Sequence, residues 1–244
     1  MAPSPSLTDT TTLLSLATTL LLLLAAYTLS HSLLPRTSTT KTRFLYIWHV
    51  FDALIHIFLE GSFLYHSLFS SIPTTTSSIS STNFLGDPHR LYGARYSTAP
   101  SARLWQVYAQ ADRRWEVADA NVVAIELLTV GIGAPLAAWC ARGLRKGEQA
   151  TWFWMVVLAT GELYGGFMTF VPEWLVGSPN LDTSNFMYKW VYLFFFNTLW
   201  VWIPLWILYE AHANITRAFP STRYTGRTSD ESSSGTSTKA KKQK

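Results

Sequence analysis

Trp48 to Tyr65, WHVFDALIHIFLEGSFLY, is apolar enough to sit in a bilayer, yet it carries His49, Asp52, His56 and Glu60. Four residues along an α-helix turn about 40° beyond one revolution, so Asp52, His56 and Glu60 share one stripe and His49 lies close to it. Three more polar features sit in apolar runs further on: Glu126, Glu162 and the pair Asn197/Trp200. Ionisable groups inside a membrane are expensive and by default face the protein interior at a functional site.

These residue types suit proton transfer. A carboxyl group taken out of water resists ionisation and can hold a proton at neutral pH, as a general acid must. A histidine one turn away can accept that proton and return it. A second carboxylate on another helix can then take a proton from a different atom of the substrate. Trp200 follows Asn197 by three residues, which puts both on one helix face. An indole face stabilises a nearby cation by roughly 0.5–2 kcal/mol, and Asn197 can orient the substrate or a carboxyl group. Acid, base, aromatic ring and excluded water together suit the movement of a carbon–carbon double bond through a carbocation.

Structural roles compete with each assignment. His56 and Glu60 could form a hydrogen bond that only fixes packing, and Glu162 reads equally as a cap beside the small patch Tyr164-Gly165-Gly166. Asp52 is placed near the entrance of the span, within reach of water and outside the chemistry. His31, His66, His89 and His212 fall near span ends or in loops. No His/Cys/Asp/Glu spacing resembles a metal site, there is no glycine-rich phosphate loop, and no cofactor is implied.

The elements that must position these groups are long apolar helices. Charged residues are 14% of the 244-residue chain, well below the roughly 25% of soluble domains. Eleven tryptophans and eleven tyrosines suit aromatic belts at membrane interfaces. The basic residues show no interleaving with aromatics of the kind that tracks nucleic acid. Cys140, alone, gives no internal disulfide and reads as a packing residue. Five spans are expected, at about 13–34, 44–72, 117–141, 152–171 and 186–209, in an all-α polytopic bundle enclosing an intramembrane ligand cavity. The first run lacks the basic segment of a signal peptide and is read as a span. Pro135 is expected to bend the third span. The segment TTTSSISST reads as flexible, and LWQVYAQADRRW as a short interfacial helix with its Trp and Tyr at headgroup level.

Arg36, Lys41 and Arg43 precede the second span, Arg142, Arg145 and Lys146 follow the third, and seven Lys or Arg lie in the C-terminal tail. The N-terminal segment and the fourth-to-fifth connection have none. The positive-inside rule therefore places the N-terminus in the lumen and the tail in the cytosol. The long loop before the third span, with five arginines, dissents. Lys241 and Lys242, fourth and third from the terminus, match a dilysine retrieval signal for the endoplasmic reticulum, or else belong to a solvated basic tail. The chain thus divides into 1–43 with the first span, a four-helix module over 44–212, and a disordered basic tail over 213–244.

Five stretches in order, IHIFLEG (55–61), LWQVYAQADRRW (104–115), VVAIELLTVGIGAPLAAW (122–139), GELYGG (161–166) and FFNTLWVWIPL (195–205), resemble the emopamil-binding protein family of sterol Δ8–Δ7 isomerases, whose membrane module is called EXPERA. The resemblance implies a five-helix protein of the endoplasmic reticulum, often a homodimer, that binds a sterol within the membrane and shifts its double bond without a cofactor. It implies catalytic roles for His56, Glu60 and Glu126, and substrate-binding roles for Asn197, Trp200, Thr129 and Trp115. The implied reaction protonates C9, passes through a C8 cation and loses a C7 proton. Here Glu162 and Gly166 stand where the family reads closer to GQxYGD, Asp52 and His49 add polarity, and the loop over 73–101 is long. These departures bear on the substrate more than on the chemistry. Another terpenoid as substrate, or a non-catalytic sterol-binding role, are the alternative readings.

Overall fold

The computed structural model describes residues 10–74 and 84–219; most of the Ser/Thr-rich segment and the basic tail with its dilysine lie outside them. Eight α-helices among the described residues are α1 (Thr10–Leu33), α2 (Thr40–Leu54), α3 (Gly61–Phe69), α4 (Pro100–Tyr108), α5 (Ala120–Leu128), α6 (Ala134–Lys146), α7 (Thr151–Leu175) and α8 (Phe196–Ala218). Single π-helical segments join α2 to α3 (Ile55–Glu60), α5 to α6 (Thr129–Gly133) and lead into α8 (Met187–Phe195). The result is five continuous helical rods long and apolar enough to cross a membrane: Thr12–Leu33, Thr40–Phe69, Ala120–Lys146, Thr151–Leu175 and Met187–Ala218. The protein is an all-α polytopic membrane bundle. Its one small sheet, among the described residues, pairs β1 (Ser71–Pro73) antiparallel with β2 (Arg90–Tyr92).

The second rod is the axis. Half of its apolar window is buried, against 11% for the first rod. Leu45, Trp48, Phe51 and Ile55 of this rod meet Ala26, Cys140, Met155, Ala159 and Ile207 from the other four. Each exposed face carries large apolar side chains, among them Leu20, Phe58, Ile132, Phe153 and Trp202, as lipid contact requires. Cys140 is buried and free, a packing residue as expected.

Local chemistry sets the ends. Thr39 caps α2 by accepting from the Thr42 amide at 3.1 Å, and Asp119 caps α5 by accepting from the Asn121 and Val122 amides at 3.1 and 3.0 Å. Gly147 ends α6 in the left-handed conformation at φ 68°. At Gly143 a Cβ would lie 2.1 Å from Thr151 Oγ1, so only glycine lets α6 and α7 approach this closely.

The third span carries a π-turn at Thr129–Gly133, which ends two residues before Pro135. One expectation is corrected. The aromatic residues of LWQVYAQADRRW do not lie at an outer surface. Trp105 and Trp115 are buried and stacked at 5.0 Å with Phe63 against both, so this segment is the floor of the bundle. It is held there by Arg114, which pairs with Asp112 at 2.6 Å, donates to the Thr169 carbonyl at 2.7 Å and lies 3.7 Å from Glu173. Burial opposes the Arg114 charge, but the Asp112 hydrogen bond and carboxylate outweigh it and hold the guanidinium above its ordinary value.

Candidate active site

A cavity of about 1120 Å³ runs between the rods, and its wall includes His56, Glu60, Glu126, Glu162, Asn197 and Trp200. Trp115 and Thr129 also line it. The structure therefore gathers every residue singled out as catalytic or substrate-binding around one space. The patch Gly161, Gly165 and Gly166 opens onto the same space; a Cβ at Gly161 or Gly166 would meet nothing within 4 Å. Gly161 and Gly166 thus leave open space on the cavity side, whereas a Cβ at Gly165 would meet Ile125 at 3.6 Å.

The three π-turns each place site residues. The widened turn at Ile55–Glu60 sends the Gly61 amide back to the His56 carbonyl and puts His56 Nδ1 2.5 Å from Glu60 Oε2. Such turns interrupt helices at functional sites more often than elsewhere. The turn at Thr129–Gly133 packs against it, with Gly133 beside the His56 ring. The third ends at Phe195, two residues before Asn197, whose Nδ2 donates to the carbonyls of Tyr192 and Leu193 at 2.8 and 3.0 Å and to the Tyr108 hydroxyl at 3.1 Å. Burial drives the Tyr108 phenol upward from its ordinary value, so it stays neutral at the cavity floor.

Glu126, one turn before Thr129 and buried at 6% exposure, shares the cavity wall with Glu60 from the third rod. His56 is thus bonded to one of two carboxyl groups on the cavity wall.

Asp52 stands elsewhere than expected. It is wholly buried, its Oδ1 accepting from Trp200 Nε1 at 2.7 Å and lying 2.9 Å from His56 Nε2. Water at a span entrance does not reach it, because it is fully buried and Trp200 of the fifth rod is bonded to it. Sequence spacing alone gave no metal-like cluster, whereas folding brings Asp52, His56 and Glu162 together with ligand atoms all within 4.8 Å. The missed residues are Tyr108, Trp105 and Arg114 on the floor, and Asp52. The available signal for Asp52 was its place on the stripe, one turn before His56.

The fold and this site define the class: a membrane-embedded helical bundle that holds an acid–imidazole network at the edge of a large apolar cavity. Residues 100–211 match the model of the EXPERA family (EXPanded EBP superfamily). The chain is 26% identical over 165 residues to a 3-beta-hydroxysteroid-Delta(8),Delta(7)-isomerase of Cavia porcellus, covering 68% of this chain and 62% of that protein. It is 28% identical over 204 residues to a protein of Oryza sativa subsp. japonica named as a probable enzyme of the same kind, covering 84% and 81%. It is 24% identical over 172 residues to isomeliandiol synthase of Melia azedarach, covering 70% and 68%. The emopamil-binding resemblance read from the sequence is thereby supported, and the chain is sterol-isomerase-like. His56 and Glu60 lie before the matched family segment.

Proposed function

We propose that this protein is a sterol Δ8–Δ7 isomerase of the endoplasmic reticulum membrane, working without a cofactor. A 3β-hydroxy Δ8 sterol lies in the cavity, where the pair Glu60/Glu126 protonates C9 and the Trp200 ring faces the C8 cation. A carboxylate of the same network then removes a proton from C7, leaving the Δ7 product, so one proton enters and one leaves. His56, hydrogen-bonded to Glu60, moves the proton between the group that received it and the group that gave it. Asn197 holds the wall against Tyr108, and Thr129 and Trp115 bound the substrate. Water is kept out by the buried Trp105–Trp115 stack at one end.

The observation that carries this reading is the Glu60–His56 hydrogen bond with Glu126 of another rod on the same wall of a cavity lined mainly by apolar side chains. The names of the relatives support the substrate class. In this reading the N-terminus is lumenal, the tail is cytosolic and the functional unit is a homodimer. The test is isomerisation of a Δ8 sterol by Glu60→Gln and Glu126→Gln, which keep shape and remove the titrating group. Both are expected to lose turnover while remaining folded; full activity in either removes that residue from the mechanism.

A second reading has its own support. The same cation chemistry would serve another triterpenoid, as the similarity to isomeliandiol synthase suggests, and the extra Glu162 on the cavity wall gives a further acid with which to do it.

A further inference from the structure

Asp52, Glu162 and the second nitrogen of His56 are unused by the mechanism above. Asp52 Oδ2 and both Glu162 oxygens are buried without a hydrogen-bond donor among the described residues, yet oxygens of the two side chains lie within 4.8 Å of each other. Two carboxylates facing one another offer four acceptors and no donor. A single proton shared between them turns one oxygen into a donor and satisfies the contact. The other Asp52 oxygen accepts from Trp200 Nε1 at 2.7 Å and lies 2.9 Å from His56 Nε2, which likewise has no aligned hydrogen bond among the described residues.

We propose that Asp52 and Glu162 form a second proton-holding carboxyl pair, on the far side of His56 from the Glu60/Glu126 pair, and that the imidazole passes protons between the two. In one direction the Asp52 carboxyl gives its proton to Nε2 while Nδ1 gives one to the Glu60 carboxylate. The return runs the other way, so the ring ends each exchange with the proton count it began with. Asp52 does not line the cavity and acts only through His56 and Trp200, which makes it a positioning residue. Glu162 lines the cavity and is the end of the chain that a substrate can meet.

A divalent ion held by Asp52, His56 and Glu162 is the rival use of the same atoms. An ion between His56 Nε2 and Asp52 Oδ1 would sit about 2.0–2.2 Å from each, which sets tetrahedral ligands more than about 3 Å apart. The 2.9 Å separation is shorter than that, and the Asp52 oxygen already accepts from Trp200.

This inference rests on the isomerase reading for its catalytic role but not for its existence, and two measurements separate them. Infrared spectra of the full chain in lipid nanodiscs report protonated carboxyl groups through their C=O stretch, whatever the enzyme turns over. Glu162→Gln and Asp52→Asn are each expected to remove the same protonated-carboxyl band, and Asp52→Glu to restore one. An unchanged band in a folded variant, or stoichiometric zinc in the purified wild type by elemental analysis, overturns the pair. Because the two positions are read separately, collapse of one variant leaves the other decisive. Turnover of a Δ8 sterol is expected to fall about tenfold or more in kcat with little change in KM for Asp52→Asn. A wild type that leaves the sterol unchanged sinks the isomerase reading while the infrared result stands; an active wild type with undiminished kcat in Asp52→Asn sinks the relay.

Discussion

Trp200→Phe separates the two things the indole does. Phenylalanine keeps an aromatic face on the cavity and loses the N–H that donates to Asp52 at 2.7 Å. Asp52 is wholly buried, and its remaining contact to that oxygen is His56 at 2.9 Å. A hydrogen bond to a charged group is worth about 1.5–3 kcal/mol, and burial leaves no water to replace it. Since each 1.4 kcal/mol is a factor of ten, kcat is expected to fall about 10- to 150-fold if the whole term is felt in the proton-transfer step. Affinity for a cationic amphiphile that mimics the carbocation depends instead on the ring face. That term is about 0.5–2 kcal/mol in total, and phenylalanine keeps part of it, so the loss is at most about 30-fold. Steady-state kinetics on a Δ8 sterol and equilibrium binding of a tertiary amine sterol analogue measure the two separately. Wild-type kcat in a folded Trp200→Phe protein would refute the argument that Trp200 fixes the network through Asp52. Unchanged amine affinity would refute the cation–π role.

Other perturbations reach the scaffold. Arg114→Met strands the buried carboxyl groups of Asp112 and Glu173 without their cation. It should lower stability by about 3–5 kcal/mol in a denaturation assay in detergent; wild-type stability would show that the anchor is dispensable. Gly143→Ala places a Cβ 2.1 Å from Thr151 Oγ1 and should lower the melting temperature, with partial recovery when Thr151→Ala removes the clashing oxygen. No recovery would mean that the α6–α7 approach is not limited by that contact. Glu126→Gln should bind the amine analogue while losing turnover, because the amide keeps the shape of the wall; retained turnover would place the proton elsewhere.

The rods and the principal site residues were legible because bilayer physics writes both plainly. An apolar run of the required length announces a span, and an ionisable residue inside one, such as Glu126, has few other reasons to be there. His56 and Glu60 were paired correctly from helical spacing. What sequence spacing does not carry is how the turns deviate. The π-segments at Ile55–Glu60, Thr129–Gly133 and Met187–Phe195 shift the faces on which His56, Thr129 and Asn197 lie, and nothing in these sequences marks an i→i+5 hydrogen bond. Asp52 was misplaced for a related reason: its depth depends on Trp200, 148 residues away, which folds over it. The tryptophans of 104–115 were read as an interfacial belt because composition cannot distinguish a ring at a headgroup from a ring on a cavity floor. The buried Asp112–Arg114 pair makes that difference, and Arg114 is also held by the Thr169 carbonyl of the fourth rod.

The central claim, that the cavity moves a sterol double bond from Δ8 to Δ7, meets its most direct test in a cell that lacks sterol Δ8–Δ7 isomerase. With this chain expressed in its membranes, the accumulated Δ8 sterols should fall and Δ7 sterols should appear, and Glu126→Gln should not support the change. Persistent Δ8 sterols, with the wild-type protein present in the membrane, would contradict the account.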